Sequence, residues 1–377
     1  MLKLPSLFNV SIFVFFLITG CTTRPVSRLD SFGTQVVAME IDPSDVGRMK
    51  VDLFAKTKVP GKVVIGNEDY NAEVSLSGKS SILSHKKHYS IKLLEGKYKK
   101  VKSFKLLGQL RDHSLLRSYL AHKVFEEEGF EVSKFESVVL YLNKNLLGLY
   151  SIVEDIDDNF YQKRNISPIA IYKGEYGEAD FASGKLENHG KPNLGFHGEM
   201  GGESYEDLKS LIRLVNSSPS EYDSGLKVEN LIDIENYISY ATTCILLNHW
   251  DGQNNNYYLY RTHNDKQFKV TPWDFDRILE EPLPYPATDV LQGRNRLTEW
   301  ILKHPEWGPK FSSKLRSLLE KYTPEKIESI LVKQEQKIAE AKKNDPYVQA
   351  LPKEGSKELK EIYSRWREKI LTLLNEG

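Results

Sequence analysis

The stretch His249-Trp250-Asp251-Gly252-Gln253-Asn254-Asn255-Asn256 decides how this chain is interpreted, together with Pro272-Trp273-Asp274-Phe275-Asp276. Between the two motifs, residues 257–261 have a strand pattern, residues 263–266 form a turn, and a return strand starts at 268. The order predicts a hairpin with a carboxylate and an amide before it and a second carboxylate after it. Because the two strands of a hairpin begin and end side by side, we expect these polar groups to lie together.

Two carboxylates and an amide at one point are the groups that phosphoryl transfer requires. One carboxylate orients the attacking hydroxyl and accepts its proton, while the other carboxylate and the amide hold Mg²⁺ against the phosphates. Protein kinases space these groups as H-R-D-x-x-x-x-N, then a hairpin, then D-F-G. This chain matches the spacing at Asp251 and Asn256, and again at Asp274 and Phe275, with Asp276 in the glycine position.

Two other interpretations of the same residues stay open on spacing alone. The asparagines could form an Asx-rich turn that caps a helix, with Asp274 as a buried hydrogen-bonding residue beside Trp273. Alternatively, Asp251 and the three asparagines at 254–256 could form a surface calcium loop, because Ca²⁺ binds carboxylate and amide oxygens.

The chain outside this stretch has a strand-rich N-terminal half and a helix-rich C-terminal half. Alternating apolar residues predict strands at 36–41, 62–65, 72–76 and 89–94, and a hairpin with strands over 137–142 and 146–153. Helical spacing predicts a helix over 114–128 that ends at Gly129, and a later helix capped by Asn230. Residues 174–205 form a long glycine-rich connection, and charged helices follow from Lys310 onward.

The bulk composition is that of a globular protein. The 377 residues carry a formal net charge of +0, with 40% hydrophobic and 28% charged residues. A balanced charge argues against general nucleic-acid binding, which requires a net basic surface. We interpret the lysine cluster at 97–105 as the solvated face of a strand and turn.

The N-terminus has the pattern of an export signal. A basic start precedes an apolar run over 8–18 that is short for a membrane span, and Leu17-Ile18-Thr19-Gly20-Cys21 resembles a lipobox. We therefore predict a lipoprotein signal peptide at 1–20 and a lipidated tether at 21–35, with Cys21 acylated. More than one acyl chain gives stable anchoring. The expected location is the cell envelope, in the outer membrane or on the outer face of the cell membrane.

The chain resembles the spore coat protein H (CotH) family, whose members look like atypical protein kinases. The resemblance covers about residues 36–300, and its most specific parts are the asparagine-rich loop and Trp273-Asp274-Phe275-Asp276. Other matching residues are Gly78-Lys79-Ser80-Ser81, Lys86-Lys87, Tyr89-Ser90-Ile91-Lys92-Leu93, Leu115-Leu116-Arg117, Leu142-Asn143, Gly148-Leu149-Tyr150, Val153-Glu154 and Tyr172-Lys173-Gly174. The family implies an α+β, atypical protein-kinase-like fold of two lobes: a strand-rich N-lobe over 36–160 and a C-lobe over 161–377, with the catalytic loop and a helical tail.

The resemblance also implies roles for the acidic residues and their neighbour. Asp251 would be the catalytic base, and Asn256 and Asp274 would be metal ligands. Asp276 would help to bind the metal or to hold the structure. The expected cofactors are ATP and Mg²⁺ or Mn²⁺.

The nucleotide is expected to meet residues of the N-lobe. Lys92, in a motif like the third kinase strand, and Lys87, nearer the polar loop, are two candidates for contacting the phosphates. Glu154 follows the hairpin where a kinase hinge would be, and it could contact the nucleotide or cap the crossover. Arg117 could reach a phosphate or form an ion pair with an acid on its own helix.

The expected function is that of an ATP-dependent protein serine/threonine kinase whose partners are cell-envelope or surface proteins and, through the lipid anchor, the membrane. The alternative is a catalytically inactive, kinase-like module that binds partners at the surface. The complete set of Asp251, Asn256, Asp274 and an N-lobe lysine favours activity, because a decayed module would usually have lost one of them.

A third interpretation is a polysaccharide-associated surface protein. It depends on aromatic residues that could stack on sugars if they were exposed: Trp250, Tyr257, Tyr258 and Trp300. Most of these residues are expected in the core of the helical half instead.

Overall fold

Seven strands close into a barrel in the order β1-β2-β3-β4-β5-β7-β6. Neighbouring strands are antiparallel except β1 and β6, which pair in parallel from Gln35 opposite Val138 and close the ring. The strands are β1 (Gln35–Glu40), β2 (Val59–Ile65), β3 (Glu68–Ser77), β4 (His88–Leu93), β5 (Ser103–Leu107), β6 (Phe135–Leu142) and β7 (Asn145–Glu154). The computed structural model describes residues 29–182, 195–201, 205–217, 222–281, 291, 294–348 and 354–376.

The barrel follows from the period-2 pattern of its strands. Side chains on one face of each strand enter the core, and Val63, Val74, Ile91 and Phe104 have no exposed surface. Lys92, one residue after Ile91, points to the other face and is exposed. Each buried aliphatic or aromatic side chain stabilises the fold by roughly 1.5–3 kcal/mol.

The hairpin β6–β7 and the helix before it confirm two local predictions. Asn143 and Lys144 form the turn with φ of 48° and 68°, which is the left-handed pair that a two-residue hairpin turn needs. Helix α2 (Arg117–Glu127) ends as predicted, because Gly129 has a φ of 87° just after it. Helix α1 (Pro43–Val51), between β1 and β2, was not predicted.

The C-terminal half contains a second sheet as well as helices. Its four strands, in the order β11-β10-β8-β9, are β8 (Pro168–Gly174), β9 (Phe196–Met200), β10 (Tyr257–Thr262) and β11 (Lys269–Pro272). The remaining helices are α3 (Asp158–Gln162), α4 (Glu206–Ser217), α5 (Tyr222–Glu229), α6 (Ile234–Leu246), α7 (Arg296–Lys303), α8 (Trp307–Lys321), α9 (Pro324–Lys343) and α10 (Ser356–Glu376). The predicted α+β class is therefore confirmed, with more strand in the second half than expected.

The predicted N-cap of α6 was wrong by one turn. Asp233, not Asn230, caps the helix, and its side chain accepts a hydrogen bond from the backbone N–H of Asn236. The residues before Asp233 pair instead with Phe268, just before β11: Leu231 O accepts from Phe268 N at 2.8 Å, and Ile232 and Phe268 form an isolated bridge. A cap depends on where the chain leaves its tertiary contacts, and the short-range pattern does not carry that information.

Helix α9 folds back onto the barrel, and α10 packs on α9. Helix α9 contacts α2 and β7, and Gln334 Nε2 donates to Ser137 Oγ at 2.7 Å. Residues Ser31–Gly377 form one compact unit. The boundary near residue 160 between two lobes stays a prediction.

The predicted signal peptide, most of the tether and Cys21 lie outside the described residues, as does much of the glycine-rich connection. Among the helices that the structure describes, none is both long enough and apolar enough to cross a bilayer.

Candidate active site

The asparagine-rich loop follows α6 and folds around Asp251. The side-chain amides of Asn255 and Asn256 donate to the Asp251 carboxylate at 3.3 and 3.0 Å. The same Nδ2 of Asn256 lies 3.3 Å from the backbone oxygen of Asp274. Asn256 therefore joins the two aspartates that the sequence predicted to lie together.

The hairpin β10–β11 is what brings the two motifs into contact. Tyr257 pairs with Pro272 at the base of the hairpin, so the residues just outside that pair are neighbours. Trp273 N donates to Asn256 O at 3.2 Å and continues the ladder. The predicted hairpin geometry is confirmed, and it places Asn256 beside Asp274.

Asp274 adopts a left-handed backbone with φ of 55°. Asp and Asn tolerate this conformation better than other residues with a side chain, which fits an aspartate at this turn. Asp274 and Asp276 are half-buried, so their side chains sit in a protein environment without being sealed from solvent.

The carboxylates of Asp251, Asp274 and Asp276 repel one another, and burial leaves them poorly solvated. Burial raises the pKa of Asp251, and the nearby Arg277 opposes this effect. Burial and then the charge of Asp251 raise the pKa of Asp274. Burial and then the charge of Asp274 raise the pKa of Asp276 well above its ordinary value. A site that collects carboxylates in this way is suited to bind a cation.

Three cations that were not predicted as site residues, Lys105, Lys173 and Arg111, act on this acidic group. The charges of Lys105 and Lys173 both act to lower the pKa of Asp274, and Arg111 acts in the same direction. Lys105 Nζ lies 3.2 Å from Asp155 and 4.5 Å from the ring centroid of Trp273. Lys105 belonged to the cluster interpreted as a solvated face, and that interpretation was wrong for this residue, which is only partly exposed.

The order of the strands and helices makes Lys105 a further candidate for contacting the phosphates. Kinases carry their phosphate-binding lysine on the strand just before the helix that precedes two further strands. Strand β5 holds that position here, because α2, β6 and β7 follow it. Strand β4, which carries Lys92 and was compared with the third kinase strand, comes before β5, and which of the two strands provides a phosphate-binding lysine stays a prediction.

A cavity of about 310 Å³ is lined by Lys105 and Lys173, the two lysines whose charges act on Asp274, while Asp251, Asn256, Asp274 and Asp276 do not line it themselves. Lys105, Lys173, Asp155 and Tyr258 line it, and Lys92 lines it from β4. The ring of Tyr258 contacts that of Trp273 edge to face, with 6.2 Å between centroids. The lining combines four lysines with the carboxylates of Glu73, Asp155, Asp157 and Glu199 and the ring of Tyr258, and the lysines are the groups in it that could contact a phosphate.

The other predicted nucleotide residues have structural partners. Lys87 Nζ donates to Ile82 O at 2.8 Å and does not line the cavity. The Glu154 carboxylate is buried and accepts from Arg164 Nη2 at 3.1 Å, next to an ion pair with Lys163. Of the two roles considered for Glu154, these contacts correspond to capping the crossover.

Arg117 is engaged in ion pairs. Its guanidinium donates to Asp112 at 2.9 Å and to Glu354 Oε1 at 2.8 Å, and its Nε donates to Ile278 O at 2.9 Å. The structure does not bring Arg117 into the 310 Å³ cavity. Of the two options considered, its contacts correspond to an ion pair, but neither acid is on the helix of Arg117: Asp112 precedes α2 and Glu354 comes from a distant part of the chain.

The aromatic residues considered for sugar binding are buried. Trp250 is 7% exposed and Tyr258 is 4% exposed, while Tyr257 and Trp300 are almost fully covered. They belong to the core of the C-terminal half, so they offer no exposed stacking surface for a polysaccharide.

A divalent metal fits the donor groups of the site. Within the described ranges, no three His, Cys, Asp or Glu side chains converge as a ligand cluster. Mg²⁺ bound to a nucleotide needs only one or two carboxylates, because phosphate and water oxygens complete its shell. Asp274 and the side-chain oxygen of Asn256 provide such a set, and a cation there would relieve the repulsion between Asp274 and Asp276.

Residues 74–374 match a family model that is described as "CotH kinase protein". The chain belongs to this family. It is 26% identical over 317 residues to the inner spore coat protein H of Bacillus subtilis (strain 168), covering 81% of this chain and 87% of that protein. A crystal structure of the Helicobacter pylori proinflammatory kinase CtkA has a TM-score of 0.32 and 12% identity, and covers 75% of this chain and 90% of that one. That likeness is too low to carry an argument. The family match includes all the residues of the candidate active site.

Proposed function

We propose that this chain is a protein kinase that transfers the γ-phosphate of ATP to Ser or Thr hydroxyls of cell-envelope or surface proteins. The main support for the proposal is that the Asn256 amide donates to the Asp251 carboxylate and to the backbone oxygen of Asp274. The nucleotide would lie in the 310 Å³ cavity, between a strand-rich N-lobe and a helical C-lobe.

Asp251 acts as the general base in this proposal. Its carboxylate accepts the proton of the substrate hydroxyl while the hydroxyl oxygen forms a bond to the γ-phosphorus. The bond from that phosphorus to the β–γ bridging oxygen breaks, and ADP leaves with the electron pair. Arg277 opposes the effect of burial on the pKa of Asp251, which favours the ionised form that a base requires.

The remaining residues bind and orient. Asn256 and Asp274 would hold Mg²⁺ or Mn²⁺, with Asp276 in support, and the metal would neutralise charge on the phosphates. Lys105 and Lys173 would contact phosphate oxygens, and Lys92 would contribute from the rim of the cavity.

The decisive measurement is transfer of radiolabelled γ-phosphate by the full chain to a generic protein acceptor, with Mg²⁺ or Mn²⁺. Asp251→Asn should lower transfer by roughly 10²–10⁴-fold and leave nucleotide binding nearly intact, because a base acts mainly in the transition state. Asp274→Asn should remove metal-dependent binding, and asparagine tolerates the left-handed backbone at this position.

Asp223→Asn is the matched control, because Asp223 is an exposed aspartate on α5. It should behave like the parent chain. Label that persists in both site variants would contradict the assignment. No label, together with no metal-dependent nucleotide binding, would instead favour the catalytically inactive, kinase-like binding module.

We also propose that the chain is lipid-anchored in the cell envelope through Cys21, which would place the active site next to surface proteins. The lipobox-like sequence ending at Cys21 supports this proposal. Cys21→Ser should move the protein from the membrane to the soluble fraction after cell fractionation. Unchanged membrane retention of this variant would rule out the lipid anchor.

A further inference from the structure

A second and larger cavity is lined in part by Ile152 and Glu154 of strand β7. Its volume is about 720 Å³, within the range of small-molecule sites. Glu154 lines this cavity, whereas Asp155, the next residue, lines the 310 Å³ cavity. Helix α2 and strand β6 form much of the wall, with aromatic surface from Tyr119, Phe130 and Phe135. Apart from Glu154, whose contacts are with Arg164 and Lys163, none of the residues considered for nucleotide, metal or base lines it.

One polar atom at this wall lacks a partner. His122, which lines the cavity and is 7% exposed, has its Nδ1 2.6 Å from Ser118 O. Its Nε2 is buried and has no hydrogen-bond partner among the described residues. Burial lowers the pKa of His122 to about 4, so the ring is neutral at pH 7. Because Nδ1 faces a carbonyl, it carries the single proton and Nε2 is an acceptor.

The charged rim of the cavity has a positive surplus. The carboxylates of Glu126, Glu131 and Glu136 are paired with Lys123, Arg164 and Lys99 respectively. Glu154, the fourth carboxylate of the lining, pairs with Lys163 and Arg164. Lys134 and Lys337 also line the cavity and have no carboxylate within ion-pair distance in the described part of the chain, although Lys134 Nζ donates to Lys99 O at 3.0 Å. An anionic group on a ligand would therefore meet these two lysines.

The wall of this cavity contacts the active-site motif directly. The His122 ring meets the Phe275 ring edge to face, with 4.7 Å between centroids, and lies 4.9 Å from the Phe135 ring. Phe275 lies between Asp274 and Asp276 in the chain. A molecule that reorients His122 would therefore press on the residue that separates the two aspartates.

We propose that this cavity is a regulatory site for an amphipathic small molecule with an aromatic body, a hydroxyl or N–H donor and one anionic group. The donor would satisfy His122 Nε2, the rings would cover the aromatic wall, and the anion would lie near Lys134 and Lys337. The inference goes beyond the proposed kinase activity, because binding at this cavity does not depend on phosphate transfer.

The test uses 6-hydroxy-2-naphthoate as the probe, because it has a ring, a hydroxyl donor and a carboxylate. Binding to the full chain in lipid nanodiscs is measured by isothermal titration calorimetry, with empty nanodiscs as the blank. Lys337→Gln should weaken binding roughly three- to tenfold, as expected for one lost charge-assisted contact. Lys333→Gln is the matched control, since Lys333 is an exposed lysine one turn earlier on α9 outside the cavity lining, and it should leave binding unchanged.

His122→Phe separates hydrogen bonding from packing. This variant keeps an aromatic ring against Phe275, and it should weaken binding of 6-hydroxy-2-naphthoate but not of 2-naphthoate, which lacks the hydroxyl. Val132→Trp, which fills the cavity from a half-buried position, should abolish binding of both probes. If that variant does not fold, the two lysine variants still decide the question.

The regulatory part has its own readout. Bound probe should change the rate of amide hydrogen exchange at residues 273–276 in the parent chain. No binding at millimolar probe, or equal affinity in all variants, would overturn the site. Binding at the cavity with unchanged exchange at 273–276 would overturn its connection to Phe275.

Discussion

At the scale of single residues, the position of Lys105 gives the active site its charge balance. Asp251, Asp274 and Asp276 concentrate negative charge at the site. The positive charge of Lys105 acts to lower the pKa of Asp274. Lys105 lies 3.2 Å from Asp155, at the end of the barrel where the chain crosses over. In the proposed function, Lys105 would exchange its contact with Asp155 for one with a phosphate oxygen.

Substitution of Lys105 tests this placement. Lys105→Gln should weaken binding of ATP with Mg²⁺ by about tenfold or more, because it removes a charge-assisted contact next to the phosphates. Titration calorimetry of the full chain measures the affinity. Lys92→Gln, which changes an exposed lysine lining the same cavity, should have a much smaller effect. A larger loss for Lys92→Gln would restore β4 as the source of the phosphate-binding lysine.

Residue spacing was enough to predict the acidic part of the site, and not its cationic part. Asp251, Asn256 and Asp274 flank one hairpin, so sequence distance fixes their relation in space. Lys105 is one of several lysines in a basic stretch, and nothing local distinguishes it from Lys102. Only the pairing of β5 with β7 brings it next to Asp155.

At the scale of elements, helix α2 is held at both ends by ion pairs. Arg117 at its start donates to Asp112 and Glu354, and Glu128 just after its end pairs with Lys314 and Lys321 at 2.7 Å each. The helix therefore forms a fixed support for Phe275. This supports the inference that a ligand in the cavity would act through the His122 side chain rather than by moving the helix.

The elements that were predicted correctly have strong local signals. The hairpin β6–β7 has alternating residues and an asparagine-rich turn, and α2 has helical spacing followed by Gly129. Helix α1 and the strands β8 and β9 were missed. Strand β9 lies within a glycine-rich stretch, and its pairing with β8 depends on residues about thirty positions earlier.

At the scale of the whole molecule, the C-terminal region is locked onto the barrel by a buried ion pair. Lys86 Nζ donates to Asp345 at 2.6 Å and to Leu149 O at 2.6 Å, and neither charged side chain is exposed. Burial lowers the pKa of Lys86, while Asp345 opposes this effect. Loss of the carboxylate would leave the lysine without its counter-charge in the interior.

Asp345→Asn should therefore lower the free energy of unfolding by about 3 kcal/mol or more, the usual cost of breaking a buried pair. Both carboxylate oxygens accept backbone hydrogen bonds, one from Leu149 N and the other from Tyr347 N and Val348 N, so asparagine loses the charge and also replaces one acceptor with an N–H donor. Urea unfolding followed by tryptophan fluorescence measures the difference. Asp69→Asn, which breaks an exposed pair with Lys62, is the control and should leave stability unchanged. Equal stability of the two variants would contradict a locking role for Lys86 and Asp345.

The sequence by itself determined the α+β class, the hairpin that carries the acidic motif, and the family resemblance that the match over residues 74–374 confirms. These features depend on residues that are close in the chain, so the relative positions of those residues are the same in any fold that keeps the local strands and helices. The tertiary structure alone decided which lysines act on Asp274, which carboxylate neutralises Lys86, and where His122 meets both a cavity and Phe275. Lys86 and Asp345 are separated by 259 positions, and a contact over such a distance leaves no periodic trace in the sequence.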